Sequence, residues 1–412
     1  MKAVRKILFW TLFPIALVAG FFLIITAWYY ITCPVYSFVE PQPFTGASFY
    51  NPYQSINDDA WKKCVFHLHT KSWFGLTNGE NSFEEMVDVY KKLNYDVIAV
   101  SDYMKINPQF IPVYEHGYNV KKTHQSALGA QKIVWRDYLF PQNLHQKQHV
   151  IDRLKKHSQL VAVNHPTMSS GYRTDDFKYL SGYDLFEVQN GTHLSEASWD
   201  AALSSGHAVW LIANDDAHSV RPERLQREAT FVNAEGNDVL NRLAQGVAFG
   251  VHFPRQKQVT MDEKIREAKD VTFPATIQVQ DDTLHIVWCQ TMQKIDFIGD
   301  NGRLLKTVAD SDAAFYAVRP QDSYVRVKLT SPEGLVYYLN PIIRCEGNQL
   351  IVQSVSRIDT VKTFWKRTVI ALFFGMVFLT MKYSNIHNRL AYGGYRLGNL
   401  HNPLSHKDHR RP

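Results

Sequence analysis

The sequence predicts an α/β fold held between two membrane-spanning helices. Strand-like and helix-like segments alternate over 61–265, and uncharged apolar runs lie near both ends of the chain. Repeated strand–helix units pack as a parallel sheet or barrel with helices outside it. Short segments of alternating polarity fill 271–345 and predict a small antiparallel, β-sandwich-like appendage.

Composition excludes several functional classes. The chain has 412 residues, 45% of them hydrophobic, which is enough for two or three folded units. Its net charge of +6 is uneven and concentrated in the last 31 residues, so we expect no nucleic-acid partner. The four cysteines form no CxxC pair, which excludes a zinc ribbon. A Cys289–Cys345 disulfide stays open if the domain is exported.

An N-terminal membrane anchor is predicted over 7–31. This run carries no charge and is long enough to cross a hydrocarbon core of about 30 Å. Basic residues lie within 1–6, and the next Lys or Arg is Lys62, so the positive-inside rule places 1–6 in the cytoplasm. A cleaved signal peptide is the alternative, although the run exceeds an ordinary signal core. The proline-rich segment 32–60 is predicted to be a linker.

A second apolar run, 368–381, lies near the other end between basic residues. As a helix it would be about 21 Å long, and snorkelling of the flanking basic and aromatic side chains would extend it. We expect a second transmembrane helix over 364–382, with an interfacial or core-docked helix as the alternative. The basic tail 383–412 would then be cytoplasmic. The protein would be integral to the membrane, with its catalytic domain extracytoplasmic, periplasmic in a bacterium.

The elements of the α/β part follow from their patterns in chain order. Ser82 and Glu85 form a capping-box pair at the start of the first helix. Segment 95–101 is apolar throughout, which is typical of a buried parallel strand. The predicted strands are 65–69, 95–101, 160–164, 184–189 and 208–213. The predicted helices are 82–93, 145–157, 195–205 and 237–248.

Polar groups recur where these strands end. His67 and His69 point to one face of the first strand, and two imidazoles on one face can hold one divalent metal. His-x-His alone is a weak signal. Active sites of α/β barrels lie at the carboxyl ends of the strands, and recurring His, Asp and Glu there predict a multi-metal hydrolase. The later groups are Ser101-Asp102-Tyr103, Tyr114-Glu115-His116, His124, Asn164-His165, Glu187 with Asn190, and Asp215-Asp216-Ala217-His218.

The order of these motifs resembles the PHP (polymerase and histidinol phosphatase) superfamily. The matching motifs are His67-x-His-Thr, "SFEEMV" at 82–87, "AVSD" at 99–102, His165-Pro, "FEVQNG" at 186–191 and "DAHS" at 216–219. The resemblance covers about 63–250, and "NPI" at 340–342 resembles a run that closes the β appendage of many relatives. It implies a distorted (β/α)7 barrel with up to three metals.

The resemblance also implies a ligand set. One metal would be held by His67, His69, Glu115 and Asp216; Glu115 would bridge to a second, held by His124 and His165; His218 would belong to a third. His116 is the alternative to His124. Asn78 and Tyr103 stand where relatives commonly have stronger ligands, so we expect two divalent ions (zinc, manganese or iron) and loss of the third site.

The implied activity is hydrolysis of a phosphomonoester or phosphodiester by a hydroxide held between two metals. His218 would protonate the leaving oxygen, with Tyr103 on the substrate and Asp216 on the metal. The residues expected to bind substrate are Arg173, Arg221 and Asn190. The residues expected to support the ligands from behind are Asp102, Glu187 and Asp215.

The membrane anchor suggests partners near the bilayer: a phosphorylated small molecule, a lipid headgroup or an envelope polymer. Two other functions stay open. A hydroxide between two metals attacks a carbonyl equally well, which would make the protein an amide or ester hydrolase of the same fold. Loss of third-site ligands would also fit a degenerate binding or scaffold module without catalysis.

Overall fold

The structure, a computed structural model, describes residues 2–191, 193–254, 259–347 and 355–398, without the side chains of 2–5, 7, 8 and 385–398. It divides into two units, Met1–Ile358 and Asp359–Pro412. The helices are α1 (Lys2–Thr32), α2 (Phe83–Lys92), α3 (Leu144–Lys155), α4 (Glu196–Ser204), α5 (Val239–Ala244), α6 (Met261–Glu267) and α7 (Thr360–Gly398). The strands are β1 (Tyr36–Ser37), β2 (Ser48–Tyr50), β3 (Trp61–Val65), β4 (Val97–Ile98), β5 (Val113–His116), β6 (Gln125–Leu128), β7 (Leu160–Val163), β8 (Leu185–Asn190), β9 (His193–Leu194), β10 (Trp210–Asn214), β11 (Glu228–Asn233), β12 (Ala248–His252), β13 (Pro274–Gln280), β14 (Thr283–Gly299), β15 (Arg303–Ala317), β16 (Tyr324–Thr330), β17 (Val336–Leu339), β18 (Ile342–Cys345) and β19 (Arg357–Ile358).

A six-stranded sheet has the order β10-β8-β7-β6-β5, with β9 paired to β8. β7, β8 and β10 run parallel, as strand–helix alternation predicts. β6 is antiparallel to both of its neighbours. Every residue of β5, β6, β7, β8 and β10 is buried, so both faces of these strands are covered by protein.

An eleven-stranded sheet has the order β13-β14-β16-β17-β12-β11-β3-β4, with β15, β18 and β2 attached to it. Within it, β3 and β4 are parallel, and the strands of 271–345 pair antiparallel as predicted. β17 pairs with β12. The strands of the predicted appendage therefore share one sheet with the strand that leads to His67.

Two parallel bridges join the sheets beside the polar groups at the strand ends. Leu68 pairs with Ala217, and Tyr103 pairs with Glu115. The backbone N–H of His69 donates to the Ala217 carbonyl at 2.9 Å, which continues the contact between β3 and β10 beyond both strands. These contacts bring the carboxyl ends of strands from the two sheets to one place.

The mixed α/β class is confirmed, with several sheets and seven helices in the described residues. Three elements differ most from the prediction. The helix predicted over 237–248 spans only Val239–Ala244, because Ala248 already lies on β12. β3 ends at Val65, so the two histidines of 65–69 follow the strand instead of lying on it. Only Val97–Ile98 of 95–101 is a regular strand, because the Gln109 side chain bonds both the N–H and the carbonyl of Val100 at 2.8 Å.

A buried ion pair ties α4 to β16. The Arg326 guanidinium donates from Nε and Nη2 to the two carboxylate oxygens of Asp200, both at 2.8 Å. Tyr324 donates its hydroxyl to the same carboxylate at 2.8 Å. A buried bidentate pair fixes geometry more than it adds net stability. The ion pair thereby fixes the position of β16, in the predicted appendage, against α4, in the predicted barrel.

Helices at both ends are long and apolar enough to cross a membrane, over Phe9–Thr32 and Thr360–Ser384. The first covers the predicted anchor, and the second extends beyond the predicted 364–382. Residues 399–412 of the predicted basic tail lie outside the described residues. The predicted linker 32–60 contains β1 and β2. Cys289 and Cys345 are free thiols, the first exposed and the second buried.

Candidate metal centre

His67 and His69 converge on one point just beyond the end of β3. Both are buried, and their Nε2 atoms lie 3.1 Å apart. Two imidazole nitrogens this close must share a proton or a metal cation. Two facing lone pairs, or two facing N–H groups, would repel each other. The pair predicted from the sequence is therefore brought together.

Two carboxylates approach the same point. Asp216, which follows β10, places Oδ1 3.3 Å from His67 Nε2 and 3.2 Å from His69 Nε2. Glu115, on β5, places Oε1 3.3 Å from His67 Nε2 and Oε2 3.1 Å from His69 Nε2. Mixed imidazole and carboxylate ligands of this kind suit zinc, manganese and iron.

His124 and His165 lie on the other side of Glu115. His124 Nδ1 is 3.0 Å and His165 Nε2 is 3.1 Å from Glu115 Oε1. His116, the alternative to His124, turns away and engages Gln125 and a backbone carbonyl. Adjacent residues of a strand face opposite sides, so Glu115 pointing inward turns His116 outward.

Buried atoms without hydrogen-bond partners concentrate in this cluster. They include Glu115 Oε2, Asp216 Oδ1, His165 Nδ1 and His218 Nε2. A buried polar atom left unpaired costs about 1–3 kcal/mol, so such a group calls for a missing partner. Two sets of ligand atoms lie within 4.8 Å of one another: His67, Glu115 and His165, and His67, His69 and Asp216. This buried group can hold a metal ion.

Two of these residues adopt unusual backbone conformations. Asp216 has φ of 50° and His165 has φ of 25°, a region that side chains other than glycine rarely occupy. Strain of this kind costs about 1–3 kcal/mol and clusters at functional sites. It turns each side chain inward at a point where a relaxed backbone would direct it elsewhere.

The electrostatics of the cluster favour positive charge at its centre. Burial lowers the pKa of His67, but Asp216, Glu187 and Glu115 outweigh burial and raise that pKa well above its ordinary value. In the same way the pKa of His69 rises to about 9. Burial opposes ionisation of Glu115, yet His124 and His67 lower its pKa well below the usual range. A metal ion would displace these protons.

Glu187, which is expected from the sequence to support the ligands, lies behind His67. Its Oε1 lies 2.9 Å from His67 Nδ1, which directs the Nδ1 proton outward and leaves the Nε2 lone pair facing the cluster. The carboxylate also accepts from the N–H of His165 and from the amides of Asn190 and Asn214. Asn190, expected on the substrate, thus holds Glu187, and its amide also lies 3.3 Å from Asp216 Oδ2.

Sequence reasoning assigned no role to two amides in the site, Asn214, which it did not name, and Asn164, which it named only as part of a polar group. Asn214 orients Glu187 and also accepts the N–H of Phe66 at 2.7 Å. Asn164 donates to Glu115 Oε1 at 3.1 Å. Asn164 directly precedes His165 and Asn214 directly precedes Asp215, and this position at the end of a strand was the available signal.

Tyr103 and His218 stack on the two sides of the His69 ring, with centroids at 4.3 and 4.4 Å. Burial, then Glu115 and Asp216, raises the pKa of Tyr103 far above its ordinary value. Asn78 also hydrogen bonds Tyr103, and this contact opposes the rise of the Tyr103 pKa. Burial and His69 lower the pKa of His218 to about 4, and its Nδ1 lies 2.8 Å from the Asp216 carbonyl oxygen.

Asp102 and Asp215 hold backbone near the cluster. Asp102 accepts from Thr70 and Ser72, so it fixes the loop after His69; these bonds outweigh burial and lower its pKa. Asp215 accepts the backbone N–H groups of 226–228 and so anchors the start of β11. Each carboxylate therefore acts on the site indirectly, by fixing the backbone segment to which it is hydrogen bonded.

The two arginines expected to bind substrate lie on the surface. Arg221 pairs with Glu80 at 2.9 Å, and both side chains are exposed. Arg173 is exposed at the start of the short helix Thr174–Lys178. No described contact brings either guanidinium to the cluster.

Comparison with known proteins adds no assignment. No family model, curated protein or solved structure matches the chain.

Proposed function

We propose that this chain is a membrane-anchored, metal-dependent phosphoesterase of the PHP type. The proposal rests on the carboxylate of Glu115, whose two oxygens face different imidazoles. Oε2 lies 3.1 Å from His69 Nε2, and Oε1 lies 3.0 Å from His124 Nδ1. A carboxylate shared in this way supports a pair of divalent ions.

Strand order supports the distorted (β/α)7 barrel implied by the resemblance. Neighbouring strands run β3-β4 in one sheet and β5-β6-β7-β8-β10 in the other. The Tyr103–Glu115 and Leu68–Ala217 bridges join the two ends of these runs. If these two bridges close the order, the seven strands would follow one another in a ring, with the cluster at the end where α/β barrels carry active sites.

Charge favours a phosphoester over a neutral amide. Two divalent ions, when bound, supply an activated water and offset charge on phosphoryl oxygens. Glu115 and Asp216 neutralise two of their four positive charges, and Glu187 neutralises one more from behind. The centre therefore keeps a net charge of about +1 to +2, which attracts an anionic substrate.

Tyr103 and His218 are placed to act on that substrate. Burial and the nearby carboxylates of Glu115 and Asp216 raise the pKa of Tyr103 and so favour its protonated form, whose hydroxyl can donate a hydrogen bond to a substrate oxygen. The His218 Nδ1–H donates to the Asp216 carbonyl, which leaves the Nε2 lone pair free to accept. This geometry favours His218 as an acceptor or ligand over the proton donor expected from the sequence.

Metal content and a substrate panel test the proposal on the full-length chain in detergent. We expect about two equivalents of zinc, manganese or iron, and hydrolysis of phosphomonoesters or phosphodiesters in preference to matched esters and amides. His67→Ala should remove metal and activity together. His252→Ala, which breaks a His–Glu pair with Glu228 outside the cluster, should keep both.

The panel also separates the alternatives. Turnover of esters or amides alone would transfer the assignment to the amide and ester hydrolases. Absence of bound metal after loading with each of the three ions would leave only the binding or scaffold module.

The proposed membrane arrangement has a test of its own. We propose that both termini are cytoplasmic and that the metal centre lies outside the cytoplasm. Cys289 is exposed, whereas Cys33, Cys64 and Cys345 are buried. A membrane-impermeant maleimide should therefore label intact cells that express the chain, and Cys289→Ser should abolish labelling. Labelling only after the cells are broken would contradict the arrangement.

A further inference from the structure

An apolar cleft adjoins the metal centre. It has a volume of about 530 Å³, and its wall includes Trp73, Leu76, Tyr103, Tyr118 and Trp135. Tyr103 belongs to both places, because its ring stacks on His69. The lining residue Gly117 lies against the His124 ring so closely that an added Cβ would be 2.5 Å from it. A ligand in the cleft can thus reach the cluster.

The lip of this cleft is a strained loop that projects apolar side chains into solvent. Trp73 and Phe74 have φ of 51° and 58° in succession, an unfavourable conformation for aromatic residues. Ser72 anchors the loop to Asp102, and Trp73 Nε1 donates to the Tyr103 carbonyl at 2.7 Å. Phe74 is fully exposed and Leu76 is 87% exposed. An exposed apolar loop that is anchored in this way is typical of a surface that contacts a partner or a membrane.

The same cleft lies beside the apolar helix α1. The Phe22 ring is 6.3 Å from the Tyr118 ring, and the Phe140 N–H donates to the Tyr30 hydroxyl at 2.8 Å. Phe22 precedes Thr32, the end of the helix, by about 15 Å along the axis. The uncharged run 7–31 is about 37 Å long as a helix, against a hydrocarbon core of about 30 Å. If α1 enters the membrane at residue 7, Phe22 lies about 22 Å along the core and Tyr30 lies about 35 Å along, just beyond it. The wall of the cleft then lies at the outer boundary of the hydrocarbon core, next to the lipid headgroups.

Charge and hydrophobicity around the opening fit this depth. Val120, Trp135 and Phe140 are exposed apolar residues near these contacts. Lys121 and Lys122 are exposed between Val120 and the metal-centre residue His124. Aromatic side chains beside lysines are typical of a surface that sits in an anionic membrane interface.

We propose that the cleft binds the hydrocarbon chain of a phospholipid-like substrate that stays in the bilayer while its phosphoester reaches the metal centre. This inference rests on the proposed phosphoesterase activity and names its substrate class: a membrane-resident amphiphile. The loop around Phe74 and Leu76 dips into the interface, and the lysines face the anionic headgroups.

Matched substrates test the inference on the full-length chain in vesicles. Dioleoylphosphatidic acid and dioleoylphosphatidylglycerol are compared with glycerol 3-phosphate and glycerophosphoglycerol, their deacylated counterparts. We expect a higher kcat/KM for the lipids. Leu76→Asp should lower kcat/KM for the lipids at least tenfold more than for the deacylated compounds. Leu304→Asp is the control, because Leu304 is also exposed, at 56%, but lies on β15. Equal losses on both substrate types, or a preference for deacylated compounds, would overturn the inference.

A second measurement does not depend on activity. Spin labels are attached at Leu76→Cys or Leu304→Cys in a Cys289→Ser background, and the chain is placed in lipid nanodiscs. We expect the label at 76 to be accessible to oxygen and shielded from an aqueous nickel complex, and the label at 304 to show the reverse. Equal aqueous access at the two positions overturns the inference. A shielded label without phosphoester turnover would refute the proposed activity while keeping the membrane contact.

Discussion

Replacing Glu187 by glutamine should weaken both metal binding and stability. A matched substitution far from the cluster should weaken stability alone. The carboxylate accepts four hydrogen bonds. Oε1 faces His67 Nδ1 and Asn214, and Oε2 faces the N–H of His165 and Asn190, at 2.7–3.0 Å. All four partners are donors, so the NH₂ group of glutamine meets two donors in either orientation.

The expected magnitude follows from this count. Two buried hydrogen bonds to a charged group are lost, each contributing about 1.5–3 kcal/mol, so the free energy of unfolding should fall by about 3–6 kcal/mol. One orientation leaves the His67 tautomer unfixed, and the other frees the backbone of His165. Because both are expected ligands, metal affinity should fall about 10- to 100-fold.

Chelator competition followed by elemental analysis measures the affinity, and thermal unfolding of the metal-free chain measures the stability. Asp322→Asn is the matched control, since Asp322 is buried and accepts from Arg303, Tyr316 and the N–H of Arg319 far along the chain. It should lose stability and keep metal affinity. The reasoning fails if Glu187→Gln binds metal as the wild type does, or if Asp322→Asn weakens metal binding equally.

Three further outcomes are expected. Tyr103→Phe should keep the metal content and lower turnover about tenfold, because the hydroxyl is a donor and not a ligand; loss of metal would contradict this role. Gly117→Ala should displace His124 and halve the metal content. Gly182→Ala should keep it, because Gly182 also has a positive φ (81°, against 137° for Gly117) but an added Cβ there would meet no atom nearer than 3.8 Å. Burial raises the pKa of Glu228 from 4.5 to about 7, so the carboxyl costs nothing below pH 4.5 and up to about 3 kcal/mol above pH 7. Glu228→Gln should therefore raise the melting temperature at pH 8 more than at pH 5, and equal shifts would refute this account.

Much of the candidate centre could be read from the sequence because its members follow strands. His67, Glu115, His165 and Asp216 each lie where a strand ends or close to it, and strand ends gather at one edge. The choice of His124 over His116 follows from the inward direction of Glu115, which the sequence alone did not supply.

Other features depend on contacts between distant segments. β6 runs antiparallel to its neighbours because of how 117–124 turns, and no local pattern records that direction. The Gln109 side chain replaces strand pairing at Val100, and Glu80 takes up Arg221. Such pairings are set by tertiary structure, so charge and periodicity along the chain did not indicate them.

The position of β17 bears on when the candidate metal centre could first bind a metal ion. β17 lies between β16 and β12 in the sheet that also contains β3, yet it is made about 270 residues after His67. At roughly 5–20 residues per second, on the order of 15–50 seconds separate the two on the ribosome. The sheet behind the first two histidines is incomplete throughout that interval. Metal loading, which the proposed function requires, would therefore be a late event in whichever compartment the last strands fold.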